Sequence, residues 1–428
     1  MQAALGTLTV ACVFVMAREW FGRRAAWIAG ALATLCGVLT FYEVLILQAS
    51  IDGVLTAAAL AVAVLLFVIR RPRLAAWMTC GILLGLAPVS ARNIVVAGRW
   101  SLVSSHGGLN FFIGNNETAT GLYQLVPGIR PEIDGQREDT TAVAEQAVGH
   151  ALDDSEVSSY FMSRGLNWIR AQPADAARLM AKKLFLAFHA DHAPLPQSYA
   201  FFAEDAETLL RWMPVNPWLI VPLGLAGLLW AAPLGARREF LVWASFVPAY
   251  AVAVAVFFVA ERYRLPLLVP LTVGAGALVD RAVGARRPAT IANTPPSPRW
   301  LGLAAATATA LVVLVNWPMN ITDGRGADRA RMALKEAERG RYDQAESWMD
   351  LATRLLQTPE GARAVSQVSP GRPARHAKWG APGRRALAPA CNRVAARGGG
   401  CLGAAGIRAA RRQSVRGERD GIGPGDHA

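Results

Sequence analysis

Apolar positions in this chain gather into long runs separated by short charged loops. Eight runs stand out, near residues 2–17, 25–41, 53–69, 74–89, 217–233, 240–259, 265–280 and 301–317. Each approaches the length of about 20 residues that crosses a bilayer as a helix, and several are somewhat short of it. The pattern predicts an α-helical polytopic membrane protein with about eight transmembrane helices. Residues 1–89 and 216–320 form two bundles of four spans, and residues 90–215 form a polar domain between them. Beyond the last run, residues 328–357 carry two amphipathic stretches joined at Gly340-Arg341-Tyr342-Asp343, the pattern of a helical hairpin. From Pro359 the periodicity vanishes, and residues 358–428, rich in Arg, Gly, Ala and Pro, are expected to be disordered. That tail reads as a wrong-frame or non-native C-terminus.

The polar domain opens on SSHGGLNFFIGNNETATG, from Ser104 to Gly121. Gly107-Gly108 and Gly114-Asn115-Asn116 are turn signals, and Leu109 to Ile113 between them is a short aromatic-rich run that predicts a strand. The domain is therefore expected to be mixed α/β. Its polar side chains, Asn110, Asn115 and Asn116, are candidates to bind a polar ligand beside a membrane; an ordinary surface loop is the plainer alternative. Residues 141–150 and 155–170 are weakly helical, and Ala176 to Phe188 is amphipathic with Arg178, Lys182 and Lys183 on its polar side. That segment either lies on the bilayer surface or is a short buried helix.

Composition supports the membrane assignment: 53% of residues are hydrophobic and the mean hydropathy is +0.27. The net charge of +13 is not a nucleic-acid signal, because residues 362–428 alone hold twelve Arg and one Lys against three acids. Only four of the 44 basic residues are Lys, a bias expected from a GC-rich coding sequence. The five cysteines show no metal-ligand spacing and no disulfide framework.

Loop charge sets the orientation. Arg18, Arg23 and Arg24 follow the first run, Arg70, Arg71 and Arg73 the third, Arg237 and Arg238 the fifth, and Arg281, Arg286, Arg287 and Arg299 the seventh. The loop from Tyr42 to Asp52 has Glu43 and Asp52 and no base. The positive-inside rule then puts the Arg loops in the cytoplasm and residues 90–215 outside, with the C-terminus also extracytoplasmic. On this arithmetic the first span begins outside, so a helix and its following outer loop are expected to be missing before Met1.

Candidate chemistry sits at the ends of the runs. Glu43 and Asp52, at the outer ends of spans, suit a general base, a metal ligand or a partner for a sugar hydroxyl; helix-end marking, and N-capping for Asp52, compete. Glu261-Arg262-Tyr263-Arg264-Leu265-Pro266 places two guanidiniums where a phosphate at headgroup level would be met, with Tyr263 as an interface anchor. Snorkelling with a Glu261–Arg ion pair is the alternative. Arg92 either contacts a lipid phosphate or caps a helix end. His189, Asp191 and His192 are close in sequence but lack a fourth ligand. No cofactor motif is present, and a divalent metal at the outer acids is left open.

Taken together, REWFGRRAAWIAGALATL, FYEVLILQASID, ARNIVVAGRWSLVSSHGGLNFFIGNN and FFVAERYRLPLLVP resemble the integral-membrane glycosyltransferases of the dolichyl-phosphate-mannose-protein mannosyltransferase type, family 39, with the GT-C fold. The resemblance covers roughly residues 1–320, and 328–357 resembles one tetratricopeptide repeat, which bacterial members often carry. It implies a multi-pass protein of the bacterial inner membrane that takes a sugar from a polyprenyl-phosphate carrier, among membrane lipid, and passes it to a protein, lipid or glycan acceptor. No nucleic acid is implied. Asp52 falls where the family carries an acid at a helix start, with Glu43 beside it. Arg262 and Arg264 fall where basic residues would meet the carrier phosphate. The family's catalytic base lies in the first outer loop, which this chain is expected to lack, so a truncated and inactive form is one expectation. The rivals are a transporter or flippase for a lipid-linked sugar, and a non-catalytic membrane scaffold built on the helical hairpin.

Overall fold

The computed structural model describes residues 2–45, 48–69, 106–130, 133–195, 197–233, 237–284 and 297–356. The expected span at 74–89, the residue Arg92 and the tail 358–428 lie outside them. The described residues are helical, with two isolated β-bridges, Cys36 to Val215 and Leu122 to Val259, in place of any sheet. The mixed α/β expectation for the polar domain is thereby corrected.

The chain divides into two compact units. The first comprises residues 1–123, 148–191 and 207–319. It holds α1 (Gln2–Phe21), α2 (Arg23–Thr34), α3 (Gly37–Val44), α4 (Gln48–Ile69) and α5 (Gly107–Gly114). The second holds most of α6 (Ile133–Val148). The first unit continues with α7 (Asp154–Ala171), α8 (Pro173–Ala187), α9 (Pro217–Trp230), α10 (Arg237–Ala244), α11 (Phe246–Val256), α12 (Glu261–Gly284) and α13 (Pro298–Val315). Among the described residues, three stretches are long and apolar enough to cross a membrane: Ala3–Phe21, the consecutive α10 and α11 from Arg237 to Val256, and α12. Shorter apolar helices, Ile51–Ala63, Pro217–Trp230 and Arg299–Val315, match three more of the predicted runs. The run at 25–41 is broken between α2 and α3 at Leu35 and Cys36.

The centre of the first unit is α12. Every residue from Arg264 to Leu278 is buried, as expected for a helix apolar on all sides. It packs against α9, α2, α1 and α4. Val13, Met16 and Trp20 of α1, Ala26 and Ala29 of α2, Leu60 of α4, Phe240 and Trp243 of α10, and Val269 and Val273 of α12 share one core. Small residues let the helices approach closely. A Cβ on Gly224 of α9 would meet that of Leu271 at 2.7 Å, one on Gly274 would meet Leu228 Cγ at 2.9 Å, and one on Gly276 would meet Ala29 Cβ at 2.7 Å. The helix starts four residues before the predicted span, so Pro266 lies inside it rather than in the first turn of a helix beginning at 265.

The second unit comprises residues 124–147, 192–206 and 320–428. Its described part contains α14 (Arg325–Glu338) and α15 (Tyr342–Leu356), the predicted hairpin. Gly340, at φ 77°, makes the left-handed turn that ends α14. Ala333, Ala345 and Met349 form the small core between the helices. Charge fills the rest: Arg329 holds Asp205 through Nε at 2.5 Å and Nη2 at 2.7 Å, Arg331 holds Asp328, and Arg341 holds Glu336. Asp328 also accepts the Ser198 N–H at 2.6 Å, and burial raises its pKa above the usual carboxylate value.

Candidate functional site

The predicted strand from Leu109 to Ile113 is the body of α5. The asparagines after it explain why. Asn115 Nδ2 donates to Phe111 O at 2.8 Å, and Asn116 Nδ2 donates to Phe112 O at 2.8 Å and Ile113 O at 3.2 Å. Side-chain amides thus satisfy carbonyls that a helix end leaves unpaired. Asn116 Oδ1 in turn accepts from the Thr118 N–H and hydroxyl, both at 2.8 Å. Asn110, half-buried, donates its backbone N–H to His106 O at 3.0 Å within the same helix.

Asn115 is buried, and it joins three segments. Nδ2 also donates to Val256 O at 2.8 Å, at the end of α11, and Oδ1 accepts from Lys183 Nζ of α8 at 2.9 Å. Lys183 is wholly buried, a correction to its expected place on a polar face. Leu179, Lys183, Leu186 and Ala187 form one buried stripe at helical spacing, so the register could have revealed it. Burial pushes the Lys183 pKa down to about 8.

Arg262 and Arg264 are two residues apart and do different work. Arg264 is buried and fully committed. Nη1 donates to Leu186 O at 3.2 Å and His189 O at 2.6 Å; Nη2 donates to Asp191 O at 2.9 Å and Glu261 Oε1 at 3.0 Å. It therefore closes the C-terminal end of α8, where a cation is favoured, and neutralises the buried Glu261. This is the ion pair weighed as the alternative to phosphate binding. Arg262 is half-buried and lies over the Tyr263 ring at 4.8 Å, with Nη2 to the Tyr263 hydroxyl at 2.8 Å. Its Nε is buried without a hydrogen-bond partner among the described residues.

The two candidate acids lie on neighbouring helices, α3 and α4. Glu43 lies near the end of α3 with its carboxyl against Gly6 of α1, and burial raises its pKa to about 7. Asp52 lies five residues into α4, which begins at Gln48, so it is not the N-cap. It is near enough to Tyr250 of α11 for its charge to be felt there, as is Tyr263. Glu43 and Glu261 both act electrostatically on Cys36, just before α3. Glu43 and Glu261 are thus linked electrostatically through Cys36, and Asp52 and Tyr263 through Tyr250, while Asn115 fastens α5 to the chain that leads into Glu261.

His189 is not available to a metal through its ring. Nε2 lies 2.7 Å from Trp317 O and Nδ1 accepts the Asp191 N–H at 3.1 Å, which assigns the neutral tautomer with the proton on Nε2. The His192 ring stacks on Tyr199 at 4.6 Å. Among the described residues no three His, Cys, Asp or Glu side chains gather as a metal site.

Residues 1–103 match the family model of dolichyl-phosphate-mannose-protein mannosyltransferases. The matched stretch contains Glu43, Asp52 and Arg92 and ends before α5. No curated protein and no solved structure shows significant similarity to the chain. The apolar helices and the family match together support a multi-pass membrane protein and a membrane glycosyltransferase of the mannosyltransferase type.

Proposed function

We propose that the protein transfers a sugar from a polyprenyl-phosphate carrier to a hydroxyl of a protein, lipid or glycan on the extracytoplasmic face of the membrane. What supports this reading is the family match over residues 1–103, which contains Glu43 and Asp52, together with the electrostatic reach of both Asp52 and Tyr263, the neighbour of Arg262, to Tyr250. Glu43, half-buried with a pKa near 7, is suited to accept the acceptor hydroxyl's proton at neutral pH. Asp52 is the second candidate base. Arg262 meets the carrier phosphate, whose negative charge grows as the bond from the sugar's anomeric carbon to the phosphate oxygen breaks. Arg264 and Asn115 act as positioning residues. The α5 asparagines 110 and 116 border the acceptor side, and Arg92, in the matched stretch, is a further candidate phosphate contact.

The experiment is transfer of labelled sugar from a polyprenyl-phosphate mannose donor by the full chain, purified and returned to lipid vesicles. Arg262→Gln is expected to abolish transfer with unaltered expression. Full transfer by that variant would remove its role, and no transfer by the parent chain from this donor would count against the reaction itself.

A further inference from the structure

The apolar helices α9 and α13 carry tryptophan at both ends. At one end Asn316 Nδ2 donates to Trp218 O at 3.5 Å, which sets the start of α9 beside the end of α13. At the other, Trp300 Nε1 donates to Trp230 O and Trp230 Nε1 to Thr307 Oγ1, both at 3.0 Å. The two helices are thus antiparallel. Between those ends Leu229, Leu303 and Val313 are all more than half exposed. Large apolar side chains turned outward on a membrane-spanning protein meet lipid. Tryptophan, an apolar ring with one N–H donor, collects at the level where lipid gives way to water. The end with Trp218 and Trp317 carries one more apolar group, outside the helices. Leu209–Trp212 is a single helical turn shortly before α9. Leu210 is buried beneath it, whereas Leu209 is 83% and Trp212 74% exposed. Asn216 Nδ2 donates to Met213 O at 3.3 Å, and the Gly37 N–H donates to Val215 O at 2.9 Å. The turn is therefore held near the starts of α9 and α3.

We infer that the turn Leu209–Trp212 is a membrane-interface anchor, seated in phospholipid at the level of the glycerol backbone. Trp212, Trp218 and Trp317 then mark one surface of the bilayer. The occupant is lipid because the turn continues a surface already turned to lipid: Trp218 is 45% and Trp317 57% exposed, at the ends of helices whose outward residues are apolar. Arg211 lies over the Trp212 ring at 5.2 Å, a pairing of cation and amphipathic ring suited to the headgroup boundary. The same surface is tied to the turn at 261–264. His189 Nε2 lies 2.7 Å from Trp317 O, and Arg264 Nη1 donates to His189 O at 2.6 Å. The anchor thus sets the depth at which Glu261 and Arg264 sit. This inference rests on the membrane-spanning helices and stands whatever reaction the protein performs.

The test uses the full chain in vesicles of phosphatidylcholine and phosphatidylglycerol, with a photoreactive side chain at one of two exposed positions. Trp212→p-benzoylphenylalanine probes the turn, and Ala306→p-benzoylphenylalanine, in the middle of α13, probes the acyl layer. Each variant is first shown to be monodisperse by size-exclusion chromatography, and mass spectrometry follows irradiation. The chain labelled at 212 should gain the mass of one phospholipid, with the new bond on the glycerol or the upper acyl carbons. The bond formed from 306 should lie farther along the acyl chain. A lipid adduct at 306 with none at 212 would put the turn in water and overturn the anchor. A 212 adduct joining two copies of the chain would overturn it in favour of an interface between copies. A 212 adduct as deep as that from 306 would overturn the interfacial level. Absence of lipid from both positions would overturn the anchor together with the placement of α13 in the bilayer.

Discussion

Lys183 offers a measurement whose sign can be worked out beforehand. It is buried, its one polar partner among the described residues is the neutral Asn115 Oδ1 at 2.9 Å, and its pKa falls from the ordinary 10.5 to about 8. At pH 7 the folded protein therefore carries a charge that costs roughly 3 kcal/mol relative to the unfolded chain. Between pH 8 and 10.5 the folded state releases that proton while the unfolded state keeps it. Stability rises with pH wherever the unfolded state binds more protons, so the cost is recovered as pH rises. Lys183→Met removes the titration but strands Asn115 Oδ1, at a cost of about 1–3 kcal/mol. The two terms nearly cancel at pH 7, where the variant should equal the parent or exceed it by up to about 2 kcal/mol. By pH 9.5 the parent should have gained roughly 2 kcal/mol on the variant. Thermal unfolding of both full chains in the same detergent at pH 7, 8 and 9.5 reads this as a drift in the Tm difference of a few degrees per kcal/mol. Shared titrations cancel in that difference. A Tm difference that stays constant with pH would refute the argument, because Lys183 would then have ordinary basicity and could not be buried beside Asn115 alone.

Arg264→Gln takes the guanidinium away from Leu186 O, His189 O, Asp191 O and the buried Glu261 carboxylate, so it should cost about 3–5 kcal/mol, whereas Arg262→Gln should leave the unfolding temperature within about a degree of the parent. Denaturation scans of the two variants check this. If Glu43 is the base, sugar transfer should rise with pH through about 7 as its carboxyl ionises, and Glu43→Gln should abolish that rise; a rise kept in the variant would pass the role to Asp52. Gly227→Leu, whose side chain would meet the Gly274 backbone, should part α9 from α12 and reduce the folded yield at least severalfold, measured by size-exclusion chromatography.

Helices whose apolar pattern is long or strongly periodic were legible in the sequence. Residues 2–21, 217–230 and 298–315 follow their hydropathy, and α14 and α15 follow their amphipathic spacing with Gly340 between them. The misreadings have local causes. Leu109 to Ile113 is five apolar residues long, too short for periodicity to separate strand from helix, and the asparagines that looked like a turn are its cap. Lys183 was assigned by its charge rather than by its register with Leu179 and Leu186. At the site, the sequence pointed to Glu43, Asp52 and the turn at 261–264, but not to the difference between its two arginines. That difference depends on carbonyls about 75 residues away in the chain, at Leu186, His189 and Asp191, which no local pattern announces.

The glycines that line the contact of α9 with α12, and of α12 with α2, leave backbone against backbone there. A hydrocarbon chain cannot slip through such a joint without first prising it apart, so these three helices form a wall rather than a doorway. A long isoprenoid would have to approach Arg262 along some other flank, and bulky residues introduced at the joint would disturb folding without ever competing for lipid.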